Sequence, residues 1–408
     1  MLSPITVAEA DQIILKNTGS FGVEDVYLIN ATGRILATDI IADRDLPPYN
    51  RVTMDGIAIS YQDYAGGTRR FYIQATMAAG DEPMTIDGID QCIEIMTGCA
   101  LPTGLDTVVR YEDVSIDEHY ATINAEHIIQ GANIHYKGSD KKVHDTIVAK
   151  NTVVDAVTIS VAASVGLSTL SVKKLPKVVV VSTGDELVDV HQHPTPYQIR
   201  RSNSYAIKAA LQQYGIDAYL LHVNDNADAI EAEVMKCISA YDVIILSGGV
   251  SMGKFDYVPQ ALANAGIKQL FHKVLQKPGK PFWFGQNSEK NVVVFAFPGN
   301  PVSAFLCLHR YFIPWLFASL SRPSGASIYA VLEQDVTFKS PLQYFLQVTV
   351  YISQLGQLIA TPVAGNGSGD FSNLTASNAF MELPAEKSHF KKGEVYKIIP
   401  FKTISVHG

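Results

Sequence analysis

Apolar and polar positions change rhythm several times along this chain, and each change marks an element. Residues 5–18 carry apolar side chains at helical spacing and predict an amphipathic helix. Between residues 55 and 130 the rhythm shortens to alternation. Four short runs show it: Phe71-Tyr-Ile-Gln-Ala, Gln91-Cys-Ile-Glu-Ile-Met, Thr107-Val-Val-Arg-Tyr and Tyr120-Ala-Thr-Ile-Asn. Glycine and proline turns separate them, as in a small β domain. Residues 151–168 return to helix, so the β domain is expected to be inserted between two halves of a helical one.

The rhythm changes again at Leu175-Pro176, where strands and helices begin to alternate. Val178–Val181, Tyr219–Val223, Val243–Leu246 and Val292–Phe297 are predicted strands. Tyr205–Tyr214, Ala227–Ala240, Tyr257–Ala265 and Pro301–Leu320 are predicted helices. Such alternation predicts a doubly wound, mostly parallel sheet. Pro323-Ser-Gly closes it, and short alternating strands resume after residue 326. The expected domains are 1–45 with 137–174 (elongated, helical linker), 46–136 (inserted β), 175–325 (α/β) and 326–408 (C-terminal β). The fold class is multi-domain α/β plus β, without internal repeats.

Composition narrows the function. At 408 residues the chain exceeds one ordinary domain, and 47% hydrophobic with 18% charged residues is ample for folded cores. A net charge of -8 disfavours broad nucleic-acid or anionic-membrane binding, while leaving room for a local basic pocket. Cys92, Cys99, Cys237 and Cys307 form no CxxC pair, and none of the eleven histidines lies in an HExxH motif. A disulfide framework or zinc site is not expected, and a reducing cytoplasm is. The N-terminus has no basic-then-apolar leader, and no apolar run reaches the roughly 20 residues that span a bilayer.

The candidate chemistry sits in polar loops after the α/β strands. The first is Ser182-Thr-Gly-Asp-Glu186. The second is Ser247-Gly248-Gly249-Val-Ser251-Met-Gly253-Lys-Phe-Asp256. The third is Lys277-Pro-Gly-Lys280-Pro281. The fourth is Phe297-Pro298-Gly299-Asn-Pro301-Val-Ser303. Low side-chain bulk lets a backbone approach phosphate or another oxyanion closely. If the sheet is parallel, all four loops share one rim. Asn300 is a candidate helix cap and Pro301 suits a first turn, so that helix start would offer free N–H groups to an anion. Lys277 and Lys280 add two cations beside it; a tight turn with solvated lysines is the plainer alternative. Glu186, Asp225 and Asp256 follow strands, and such hard oxygens next to phosphate suit Mg²⁺. The plainer alternative makes Asp225 a helix cap and Glu186 a helix start.

In their order, these segments resemble one known family. Added to them are Leu46-Pro-Pro-Tyr with Met54-Asp55-Gly56, Ile95-Met-Thr97-Gly98 with Leu101-Pro102-Thr-Gly104, Asp256-Tyr257, and Gly365-Asn-Gly-Ser368-Gly369. The set is similar to molybdopterin molybdenumtransferases of the bacterial MoeA type and to the E domain of gephyrin. The resemblance implies an elongated four-domain homodimer, with the site between the molybdopterin-binding α/β domain of one subunit and the β domain of the other. It implies transfer of molybdate onto adenylylated molybdopterin, with Mg²⁺ and release of AMP, and a transient complex with an adenylyltransferase. Position by position it marks Asp55, Thr97, Asp140, Glu186, Asp225, Asp256, Pro298 and Pro301, with Ser303 donating a hydrogen bond and Ser368 a contact. Asp55 and Thr97 would act from the second subunit. The family often has arginines around a phenylalanine in its last domain; Pro341-Leu-Gln-Tyr-Phe345-Leu-Gln347 has none, and Arg51 is a candidate replacement. Two other readings remain: a related molybdopterin adenylyltransferase or nucleotide pyrophosphatase, and a non-catalytic dimeric scaffold.

Overall fold

In the computed structural model the described residues are 3–249, 257–323, 325–365, 367 and 369–406. A six-stranded sheet organises the middle of the chain. Its spatial order is Tyr219–Val223, Val178–Thr183, Val243–Ser247, Val292–Phe297, Trp283–Asn287, Lys268–His272. The first four strands are parallel, and the last two join antiparallel. Successive side chains of a strand point to opposite faces, so a sheet covered on both sides reads as an unbroken apolar run. Val178 and Val180 enter one core with Ile245, Phe295 and Phe297. Val179 and Val181 enter the other with Ile244, Leu246 and Val294. Helix Asn203–Gln212 and the 301–319 helix cover the first face; Ala227–Ala240 and Val258–Asn264 cover the second.

Local capping chemistry sets the helix starts. Asn226 accepts from the Ala229 N–H at 3.0 Å and caps Ala227–Ala240, so Asp225 does not hold that role. Helix Val7–Lys16 begins in a reciprocal capping box, Thr6 with Glu9. Asn300 sits at the cap position before Pro301 but makes no side-chain capping bond there. The helix predicted over 301–320 contains a π-helical turn, Leu308–Phe312.

The inserted sheet has six strands, in the order Thr107–Arg110, Gly56–Ile59, Gln91–Ile95, Arg70–Met77, Tyr120–Ile123, Val114–Asp117. Gly56 is obligatory here, because a Cβ would lie 1.9 Å from the Val109 carbonyl oxygen. The flanking segments are less helical than expected. Beyond Val7–Lys16 and the shortened Ala156–Ser164, they pair as short strands, Val23–Tyr27 with Thr169–Lys173 and Ile40–Ile41 with Thr146–Val148. Positive-φ residues such as Gly166 and Asn151 break the longer helical pattern.

The last strands close on themselves. Gln343–Ile352 pairs with Leu358–Pro362, then Ile328–Leu332, Val395–Pro400, Ala379–Leu383 and Gln343–Ile352 again, a five-stranded barrel. A sixth partner comes from the α/β region: Gln276–Lys277 runs parallel to Gln343–Tyr344. Among the described residues no helix is long and apolar enough to cross a membrane.

Candidate active site

A cleft of about 820 Å³ opens between the rim of the central sheet and the barrel. The rim carries the carboxyl ends of the parallel strands, where ligands bind in open α/β sheets. The loop of Lys277 and Lys280 reaches the same rim by another route. It lies between the antiparallel strands Lys268–His272 and Trp283–Asn287, and two reversals bring it back beside the parallel strand ends.

Half of the candidate residues meet in this cleft. Glu186, Ser247, Gly248, Lys277, Lys280, Pro298, Gly299, Pro301 and Ser303 all line it. Gly249 sits just behind the wall at φ +71°, where a Cβ would fall 2.8 Å from the Thr183 hydroxyl and 2.6 Å from Val258. Asp225 is on the neighbouring loop, and its N–H donates to Asp185 Oδ1 at 3.0 Å. Ser251, Gly253, Asp256 and Ser368 lie outside the described residues.

Hydrogen bonds fix the loops relative to one another. Asn203 Nδ2 donates to Ser247 Oγ at 2.9 Å and to the Gly299 carbonyl at 2.7 Å, tying two strand-end loops together. Gly248 N–H donates to the Phe297 carbonyl at 3.2 Å. The Lys277–Lys280 loop rests on Gln276, whose side chain is fully buried. Gln276 Nε2 donates to the carbonyls of Pro278 (3.1 Å) and Gly279 (3.3 Å), and its Oε1 accepts from the Tyr311 hydroxyl. Gly279 has φ +87°, and a Cβ there would come within 2.7 Å of Gln276 Nε2.

Charge in the cleft opposes that of the whole chain. Arg200, Arg201, Lys277 and Lys280 line it, against Glu186 as the one acidic lining residue among those described. Arg201 pairs with Asp189, which also accepts from Tyr205 at 3.0 Å. Desolvation pushes the Asp189 carboxyl up, but Tyr205, the Val190 N–H and Arg201 together hold it below its ordinary range. Sequence reasoning missed Arg200, Arg201, Asn203, Gln276 and Gln347. The run Ile199-Arg-Arg-Ser-Asn203, dense in polar residues before a helix, was the available signal.

Three candidates lie elsewhere. Asp55 Oδ1 accepts from the Thr97 N–H at 2.6 Å, and that backbone bond, then the Thr97 hydroxyl, keeps its carboxyl low. Asp140 lies 2.8 Å from His135 Nε2, whose other ring nitrogen is 3.1 Å from Arg51. None of these lines the cleft of its own chain.

Comparison with known proteins agrees with this architecture. Residues 5–166 match the MoeA N-terminal region (domains I and II), 179–318 the probable molybdopterin binding domain, and 329–401 the MoeA C-terminal region (domain IV). The fold is thus that of a multidomain MoeA protein built around a molybdopterin-binding-type α/β domain. A molybdopterin molybdenumtransferase of Synechocystis is 37% identical over 394 residues, 96% of this chain and 98% of that relative. One from Staphylococcus epidermidis is 31% identical, covering 97% of this chain and 96% of its own. The solved molybdopterin biosynthesis MoeA protein of Pyrococcus horikosii superposes with a TM-score of 0.84 at 26% identity, over 98% of this chain and 100% of that one. The chain belongs to the molybdopterin molybdenumtransferase family.

Proposed function

We propose that this protein transfers molybdenum from molybdate onto adenylylated molybdopterin, with release of AMP, in molybdenum cofactor biosynthesis. The observation that carries the reading is the basic cleft itself: two lysines on a braced loop, Arg200 and the Asp189-paired Arg201 in the same lining, and the start of a helix, all in a chain of net charge -8. Lys277 and Lys280 bind the tetrahedral oxyanion, and charge-assisted hydrogen bonds of this kind are about twice as strong as neutral ones. Ser303 and the N–H groups at the Pro301 helix start hold further oxygens. Arg200 takes a phosphate of the adenylylated substrate, with Arg201, next in sequence, held by its ion pair with Asp189. The glycine loops leave room for the pterin.

Mg²⁺ fits the donor set. Glu186 on the cleft wall, with Asp185 and Asp225 joined on adjacent loops, offers hard oxygens, and Mg²⁺ takes one or two carboxylates together with phosphate oxygens and water. Among the described residues no group of three such side chains comes together; Asp256 lies outside them. Glu186, Asp225 and Asp256 would hold the ion, and bound there it would polarise the phosphoanhydride as a Lewis acid.

Asp55 and Thr97 line no part of their own chain's cleft, which suits a homodimer whose second copy supplies them. An adenylylated substrate requires an adenylyl-transferring reaction upstream, consistent with a transient complex with that enzyme. Four buried, unbridged cysteines suit the cytoplasm. The test is AMP release from adenylylated molybdopterin with Mg²⁺, with and without molybdate. Molybdate-dependent release, with molybdenum retained on the pterin, is expected. Release indifferent to molybdate would assign a hydrolase or adenylyltransferase instead.

A further inference from the structure

The π-helical turn Leu308–Phe312 sends three consecutive side chains to different parts of the molecule. His309 packs against Phe305 and Phe401, with ring centroids 4.5 and 5.9 Å away. Arg310 donates to Asp11 of the first helix at 2.7 and 2.6 Å and lies 3.4 Å from Glu382 of the barrel. Tyr311 donates to Gln276. π-helical turns are rare and recur near functional sites. Here the turn meets a buried side chain that braces the lysine loop.

We propose that Gln276 is a positioning residue for the oxyanion subsite and that Tyr311 sets its orientation. The side chain has two amide hydrogens and one carbonyl oxygen. In this site the nitrogen donates to two successive carbonyls of the loop, with the Cys307 Sγ 3.9 Å away as a weaker acceptor, and the oxygen accepts from the phenol. The Tyr311 O–H has no acceptor in the amide other than that oxygen, so it fixes which end of the amide faces the loop. The next residue is Lys277, and the carbonyl of Lys280 accepts from the Val274 and Phe282 N–H groups at 3.0 and 2.9 Å. Both lysines therefore leave a backbone held on each side. Parallel pairing with Gln343–Tyr344, and Glu382 shared by Gln343 (2.6 Å) and Arg310, connects the barrel to the same frame. The energetic logic is that of preorganisation: the separation of two cations is set before the anion arrives.

The inference uses the proposed function only to name the anion. Molybdate binding by equilibrium dialysis, and KM and kcat for AMP release, are compared in the wild type, Tyr311→Phe, Gln276→Leu and Gln276→Glu. Tyr311→Phe is expected to weaken molybdate binding about 3- to 10-fold, the scale of one neutral hydrogen bond. KM for molybdate should rise in step while kcat holds. Gln276→Glu adds a pH signature. Protonated, the introduced carboxyl still donates to one carbonyl; ionised, it repels both, so KM should climb with pH where the wild type does not. Unchanged molybdate affinity in Tyr311→Phe, or a pH-independent KM in Gln276→Glu, overturns the proposal. Should Gln276→Leu fail to fold, Tyr311→Phe removes a single oxygen and decides alone. Wild type that binds molybdate without releasing AMP overturns the transferase reading, and the dialysis comparison still judges Gln276.

Discussion

Lys277 and Lys280 stand on a buried frame: Gln276 beneath the loop, Tyr311 beneath Gln276, and a barrel strand alongside. Arg51, His135 and Asp140 also gather charge and hydrogen-bonding capacity, but on an exposed face where they mostly bond one another. The first region offers two cations on a backbone braced from beneath, the arrangement proposed above for an anion. The second has polar groups of the right kind but no wall opposite them. Buried support, rather than residue type, separates a subsite from a surface that needs a second element to become one.

Three changes test that contrast. Replacing both lysines, Lys277→Ala with Lys280→Ala, should cut molybdate-dependent AMP release by roughly 10²–10⁴-fold, the value of two charge-assisted hydrogen bonds. The melting temperature should not move, since both ammonium groups lie outside the cores. Retained activity would reduce them to solvated turn residues. Next, co-expressed Asp55→Ala and Lys280→Ala chains should together regain about a quarter of wild-type activity, as random pairing in a twofold dimer restores one site in half of the pairs. A mixture as inactive as its parents would confine the inserted domain to its own chain. The last change concerns stability rather than turnover. Burial pushes His309 from 6.5 down to about 4. The unfolded state therefore takes up its proton first, and stability is complete above pH 6.5 and lost progressively as pH falls towards 4. His309→Phe should remove a loss of about 3 kcal/mol across that window, read as a flatter melting temperature against pH. Parallel wild-type and variant curves would exclude His309 as the group responsible.

The alternation that names the fold class was legible because every strand buried on both faces reads as an apolar run, Val178–Thr183 most clearly. Lys268–His272 and Trp283–Asn287 were not, since an edge strand carries polar residues and Gly285 interrupts its neighbour. The loops of Lys277, Ser247 and Ser303 stood out through glycine and proline. Gln276 did not: a lone glutamine gives no hint that its amide will be fully enclosed, because the enclosing groups come from Tyr311, distant in sequence. The π-helical turn has no compositional mark at all within a long apolar helix.

The pairing of Val23–Tyr27 with Thr169–Lys173 has a consequence for biogenesis. The first strand leaves the ribosome long before its partner exists. At about 5–20 residues per second, the wait is roughly 8–30 s. Everything between them, including the whole inserted sheet, is synthesised in that interval. Nascent chains should therefore acquire the inserted β domain while the outer segments that flank it are still unpaired.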